Sequence, residues 1–354
     1  SGRHSFGVLR SLPTEYVSRQ QTTSSMKVSA PPAPSVVAAF QYMLDMRHTS
    51  LGMLGISLRP SPLGGADLTS KTALITGGTG GIGLAAAQAL ASAGATVYVT
   101  GRDRDRGRAA AASVPPGAEG KIVYHQMDLS SIPAARRLKE IMDRSLDGQR
   151  LDILVQNLAC MPDHHEILEN GHERALSTNL LAFFELGKSL APLMAVGGRV
   201  INVVSAGMHL HKLSVARLDM LNDRSGTGFE PIFAYCVTHR ARVVVTQHWA
   251  KKYPSLFFAT VHPGWVDTDG IRNANAMRGF YALMRRTLRS PAQGADTIAW
   301  LVAPSTNVRA IPSGSYMWDR AVRSIDLLFS KTQTSKEEEQ VLLEYLNQAS
   351  SSTT

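Results

Sequence analysis

The segment Thr76-Gly77-Gly78-Thr79-Gly80-Gly81-Ile82-Gly83 restricts this chain more than any other. It follows the apolar run Thr72-Ala73-Leu74-Ile75 and opens the alanine-rich stretch Leu84 to Ala93. That order reads as strand, glycine turn, helix. Glycines permit a tight turn and let the backbone approach a pyrophosphate, while the free amides of a helix N-terminus supply partial positive charge. Gly77, Gly81, Ile82 and Gly83 are therefore candidate nucleotide-binding residues.

The alternation repeats downstream. Thr96-Val97-Tyr98-Val99-Thr100, Lys121-Ile122-Val123-Tyr124, Leu151-Asp152-Ile153-Leu154-Val155, Arg199 to Val204 and Leu256 to Val261 read as further strands. Helical segments fall between them, among them Arg104 to Ala112 and Ser131 to Leu146. Near-continuous apolar strands fit a parallel sheet buried on both faces, and right-handed crossovers make it a doubly wound α/β sheet of Rossmann type. With 354 residues, 44% of them apolar, one large domain over residues 71–330 is expected, and there are no internal repeats. Before it lie an apolar helix at Val36 to Met46 and a linker within 35–70, and after it a helix and polar tail over 331–354. Ser335 and Glu338 announce that last helix as a capping box.

The formal charge is +9 and the isoelectric point about 9.7. The arginines are scattered rather than interleaved with aromatics, which argues against nucleic acid as a partner. No run approaches the roughly 18 apolar residues of a transmembrane helix. Residues 1–34 carry Arg3, Arg10, Arg19 and Lys27 against the one acid Glu15, are rich in serine and threonine, and end in Ala30-Pro31-Pro32-Ala33-Pro34. Such a basic arm resembles an organellar transit peptide. A mitochondrial location is the expectation, with plastid or cytoplasm as alternatives. Cys160 and Cys236 read as reduced thiols beside the cleft, and His164, His165, His172, His209 and His211 as surface histidines with no metal-binding spacing.

In its motifs the chain resembles the short-chain dehydrogenases/reductases, over about Lys71 to Trp318. The glycine turn comes first, and then, in the family's order, Asn179 in Ser177-Thr178-Asn179-Leu180, Ser205 in Val203-Val204-Ser205-Ala206-Gly207, Tyr235, and His262-Pro263-Gly264-Trp265-Val266-Asp267-Thr268. Segments such as Cys160-Met161 and Leu288-Arg289-Ser290-Pro291-Ala292-Gln293-Gly294 are similar to one branch of that family. The resemblance implies oxidation or reduction at a carbonyl or CH–OH group with a nicotinamide cofactor. It gives Tyr235 the proton, Ser205 the substrate carbonyl and Asn179 a water of the proton relay, and it brings Asn157, Pro263, Gly264 and Thr268 to the cofactor.

Two departures stand out. The family's lysine, four residues after the tyrosine, lowers the phenol pKa and anchors the nicotinamide ribose; here that position is His239. An imidazole of ordinary pKa, about 6.5, is mostly uncharged at neutral pH. Arg242, seven residues from Tyr235, could supply charge from one turn further along. Where the family has Asn-Asn-Ala-Gly, this chain has Gln156-Asn157-Leu158-Ala159, which adds side-chain volume next to the nucleotide.

Arg102, just past the second strand, could pair with the 2′-phosphate of NADP(H), whereas an acidic residue there would favour NAD(H). A solvated arginine in the charged run to Arg108 is the alternative. Asp128 could meet the adenine, as the resemblance implies, or cap the helix near Ser131. Two functions follow: an NADP(H)-binding oxidoreductase with a degenerate site and weak or no turnover on a small carbonyl substrate, or a non-catalytic subunit of an organellar protein assembly.

Overall fold

The structure, a computed structural model, describes residues 61–304, 306–327 and 332–352. The basic arm, with the organellar location and assembly it suggests, and the helix expected at Val36 to Met46 lie outside the described residues. The main elements are β1 (Thr72–Thr76), α1 (Gly81–Ser92), β2 (Thr96–Gly101), α2 (Arg104–Ala112), β3 (Lys121–Gln126), α3 (Ile132–Leu146) and β4 (Leu151–Gln156). A π-helical turn, Leu176–Leu181, leads into α4 (Ala182–Leu190) and β5 (Met194–Val203). Then come α5 (Val215–Met220), α6 (Pro231–Lys252), β6 (Phe257–His262), α7 (Asp269–Arg272), α8 (Arg278–Met284), α9 (Pro291–Val302), α10 (Thr306–Arg309), β7 (Ser315–Trp318), β8 (Ala321–Arg323) and α11 (Lys336–Ser351).

The strands form one sheet in the order β3-β2-β1-β4-β5-β6-β7-β8, parallel except for the last pair. Strand order reverses between β1 and β4, so the crevice beyond their carboxyl ends is where such sheets take ligands. Alternate strand residues feed two cores. Leu74, Leu154, Val200 and Phe258 pack with α3, α4 and α6, while Ala73, Ile75, Val155, Ile201 and Val261 pack with α1 and α9. Burial on both faces is why these strands read as continuous apolar runs.

The long helix α6 crosses the first core and is buried around most of its circumference. Its Trp249 stacks between Phe183, Phe184 and Phe258, with ring centroids 5.3 to 6.1 Å apart. A side chain at Gly187 would collide with that indole. This packing fixes the helix that carries Tyr235, His239 and Arg242.

One expectation needs correction, and two features add to it. β5 starts at Met194, not Arg199, because Gly197 and Gly198 hide a strand start that the pairing with β4 restores after a register shift. The pair β7 and β8 is too short to stand out as a pattern. α11 runs to Ser351 with both bonds of its capping box, and Leu342 and Leu346 join the first core. Ser350 is buried, donating to Glu185 Oε2 at 2.6 Å while its carbonyl accepts from Arg136.

Candidate active site

The glycine turn lies where β1 meets α1. Gly77 and Gly81 have φ of +65° and +54°, a region that favours glycine. A Cβ on Gly83 would press on the Gly77 carbonyl and stand 2.7 Å from Asn157 Nδ2. Asn157 itself braces the turn, donating from Nδ2 to the carbonyls of Thr76 and Gly77 at 3.2 Å each. Gly80 caps α1 without a side-chain hydrogen bond, and no acid sits in the first turn. The leading amides and the dipole of a 12-residue helix therefore face the crevice, which fits a pyrophosphate.

Other residues border this cradle. Ile82 packs on the second core, and Thr268 lies beside Gly81, its Cγ2 3.3 Å from where a Cβ would stand. Arg106 lies over Gly80 and pairs with Asp269 at 2.9 Å. Arg102 projects into solvent, 71% exposed, with Asp128 3.9 Å away. Asp128 does not cap α3: it accepts the Ser130 amide, and Ser131 is the cap. Leu158 donates its N–H to Thr76 Oγ1 at 3.2 Å and leans toward Gly77 and the first core.

At the carboxyl end of β5, Ser205 starts a short 3-10 turn, its Oγ accepting the Gly207 amide at 3.1 Å, with Tyr235 nearby. Two imidazoles hold the backbone there. His239 Nδ1 accepts the Ser205 N–H and His262 Nδ1 the Ala206 N–H, both at 3.3 Å. A ring nitrogen that accepts carries no proton, so each ring bears its proton on Nε2, a tautomer inferred from this bonding. Neither Nε2 finds a partner among the described residues. Both rings stay neutral. Burial, then Arg242 and His262, hold His239 well below the usual histidine range, and burial with Arg289 and His209 takes His262 down to about 3.

Tyr235 stands one turn before His239, with ring centroids 4.2 Å apart. Burial pushes its phenol up to about 12, against the opposing pull of Arg242 and Ser205. Asn179, in the π-helical turn, is tied by its amide to Cys160: Oδ1 accepts the Cys160 N–H and Nδ2 donates to the Cys160 carbonyl, both at 2.8 Å. Its own carbonyl accepts from Arg242 Nε. Pro263 and Gly264, φ +81°, follow β6 over a buried Arg289, which donates to the Pro263 carbonyl at 3.1 Å and pairs with Asp319 at 2.8 Å.

His172 and His209 are buried, contrary to the expected surface positions: the 3-10 turn carrying His209 packs on α6, and His172 lies against Asn222. Cys160 and Cys236 are free thiols, raised to about 11 and about 12 by burial. Sequence reasoning missed Arg106, His262 and Arg289 as parts of the site. Only His262 carried a local signal, as the last residue of an apolar strand directly before Pro263-Gly264.

A doubly wound sheet with a glycine cradle at its switch point, and a serine and a tyrosine beyond the neighbouring strand, has the layout of a dinucleotide-binding domain. A family model described as short chain dehydrogenase matches residues 71–215. The chain is 36% identical over 230 residues to dehydrogenase/reductase SDR family member 12 of Bos taurus, covering 64% of this chain and 69% of that one. It is 31% identical over 266 residues to the putative daunorubicin C-13 ketoreductase DnrU of Streptomyces sp. strain C5, covering 75% and 88%. Among solved structures, the angucycline C-6 ketoreductase LanV with bound NADP superposes with a TM-score of 0.58 at 25% identity, covering 72% of this chain and 95% of that one. The chain belongs to the short-chain dehydrogenase/reductase family, whose members bind nicotinamide cofactors.

Proposed function

We propose that this chain binds NADP(H) and slowly reduces a carbonyl substrate, with Tyr235 as proton donor. The observation that carries this reading is the convergence of Ser205 and Tyr235 on His239 at the carboxyl edge of the sheet that bears the glycine cradle. Ser205 Oγ hydrogen-bonds the carbonyl oxygen and polarises it. When bound, the nicotinamide supplies a hydride to the carbonyl carbon. The oxygen takes the Tyr235 proton, and solvent restores that proton to the phenolate. A phenol raised to about 12 is protonated at neutral pH and is a weak acid, which keeps the step slow.

Arg102 supports the phosphate-bearing cofactor, being exposed beyond β2 with only a distant carboxylate. The names of two relatives, a ketoreductase at C-13 of daunorubicin and one at C-6 of an angucycline, support a carbonyl as the group acted on. Fluorescence titration with NADPH tests the reading: saturable binding is expected for the natural chain and a loss of about tenfold or more for Gly83→Ala. Absence of saturable binding by the natural chain would refute it.

A further inference from the structure

Arg242 is a cation without an acid. It is 1% exposed, and among the described residues no carboxylate lies within ion-pair distance. Three backbone carbonyls hold it instead: those of Asn179 at Nε, Val203 at Nη1 (3.1 Å) and Leu158 at Nη2 (2.7 Å). Its guanidinium also lies over the Phe183 ring, 4.7 Å from the centroid. These carbonyls satisfy its donors but supply no counter-charge. The groups whose ionisation would favour it are Tyr235 and Cys160. Its other titratable neighbour, His239, is neutral.

We propose that Arg242 supplies the positive charge that Tyr235 works against, and that His239 is a neutral spacer whose place in the site excludes a second cation. Three relations carry this. The three carbonyls belong to segments that border the site: the loop beside Gly77, the π-helical turn and the end of β5 two residues before Ser205. His239 lies between the two groups along α6 and spends its accepting nitrogen on the Ser205 amide, so it braces the serine without adding charge. The guanidinium remains protonated at neutral pH, at about 10, and favours the phenolate that proton donation leaves behind. Arg242 is a positioning residue: it touches neither substrate nor reacting atoms.

The inference rests on the reductase reading for its catalytic half, and a double-mutant cycle tests it independently of turnover. Melting temperatures are measured for the natural chain, His239→Lys, Arg242→Met and the double variant. A lysine added beside Arg242 buries a second unpaired cation, so His239→Lys should melt lower than the natural chain. Adding Arg242→Met should raise the melting temperature in that background while lowering it in the natural one. Additive effects overturn the charge exchange. In the catalytic arm, Arg242→Met should lower kcat about tenfold or more with NADPH affinity within about threefold, and Arg242→Lys should recover most of the loss. Unchanged kcat in Arg242→Met, or no recovery with Lys, overturns the role toward Tyr235. A natural chain without turnover defeats the reductase reading, and the melting cycle still decides the placement of the charge.

Discussion

Tyr235 and His239 stack one helical turn apart, their ring centroids at 4.2 Å and their planes tilted by 56°, and the imidazole is a neutral acceptor of the Ser205 amide. The position four residues after the tyrosine thus serves the backbone of the serine and not the charge of the phenol. That relationship shapes what the site does with pH.

A phenol raised to about 12 is protonated from acid to mildly alkaline solution. Reduction uses that form, so its kcat/KM should be flat between pH 7 and about 9. Alcohol oxidation uses the phenolate and should rise about tenfold per pH unit over the same range without a plateau. Initial rates in both directions across buffers of constant ionic strength check this, and a plateau in oxidation near pH 8 would show a phenol far more acidic than this site makes it.

Acid should unfold the protein through its buried histidines. His209 and His262 are held down to about 4 and about 3, below the ordinary 6.5. Below pH 6.5 the unfolded chain takes up protons that the folded chain refuses, so stability is full above 6.5 and is lost as pH falls toward the folded values. Each such group costs about 1.4 kcal/mol per pH unit in that window. Chemical denaturation at pH 7 and pH 5 measures the loss, and His262→Asn should flatten the slope by close to one proton.

Much of this was legible in the chain. The glycine turn, the six long strands and the capping box of α11 follow from patterns a few residues long, and packing agreed with them. The interior of α6 was not. From the chain alone Arg242 could supply charge from a turn beyond Tyr235 and nothing singles out Arg240; that both are buried emerges only in the fold. Arg240 pairs with Asp326, far along the chain, whereas Arg242 meets only carbonyls brought together from three segments. Such contacts exist only after folding, and a local pattern cannot carry them. Arg289 escaped for the same reason.

Arg102→Glu should reverse cofactor choice. Removing a guanidinium that can meet a 2′-phosphate and placing a carboxylate that can accept ribose hydroxyls should weaken NADPH about tenfold or more and strengthen NADH. Parallel fluorescence titrations with the two nucleotides measure the ratio. An unchanged ratio would make Arg102 a solvated surface residue.

Glu185→Gln should loosen the carboxyl-terminal helix. The Glu185 carboxylate is buried, bonded to Ser350 Oγ at 2.6 Å and to Arg136 Nε at 2.9 Å, and its loss leaves the guanidinium short of its anion. A destabilisation of about 1 to 3 kcal/mol is expected. Hydrogen exchange over α11 should rise with little change at β1, and equal change at both would mean that α11 is not a separately opening unit.

If Tyr235 donates the proton to a carbonyl, its loss stops ketone reduction and leaves the cofactor bound. NADPH consumption with a panel of aromatic and aliphatic ketones, for the natural chain and for Tyr235→Phe, tests it most directly. Slow, ketone-dependent consumption is expected for the natural chain, with a loss of about a hundredfold or more in Tyr235→Phe and NADPH affinity preserved. Equal rates for the two proteins on every ketone, with NADPH bound by both, would contradict it.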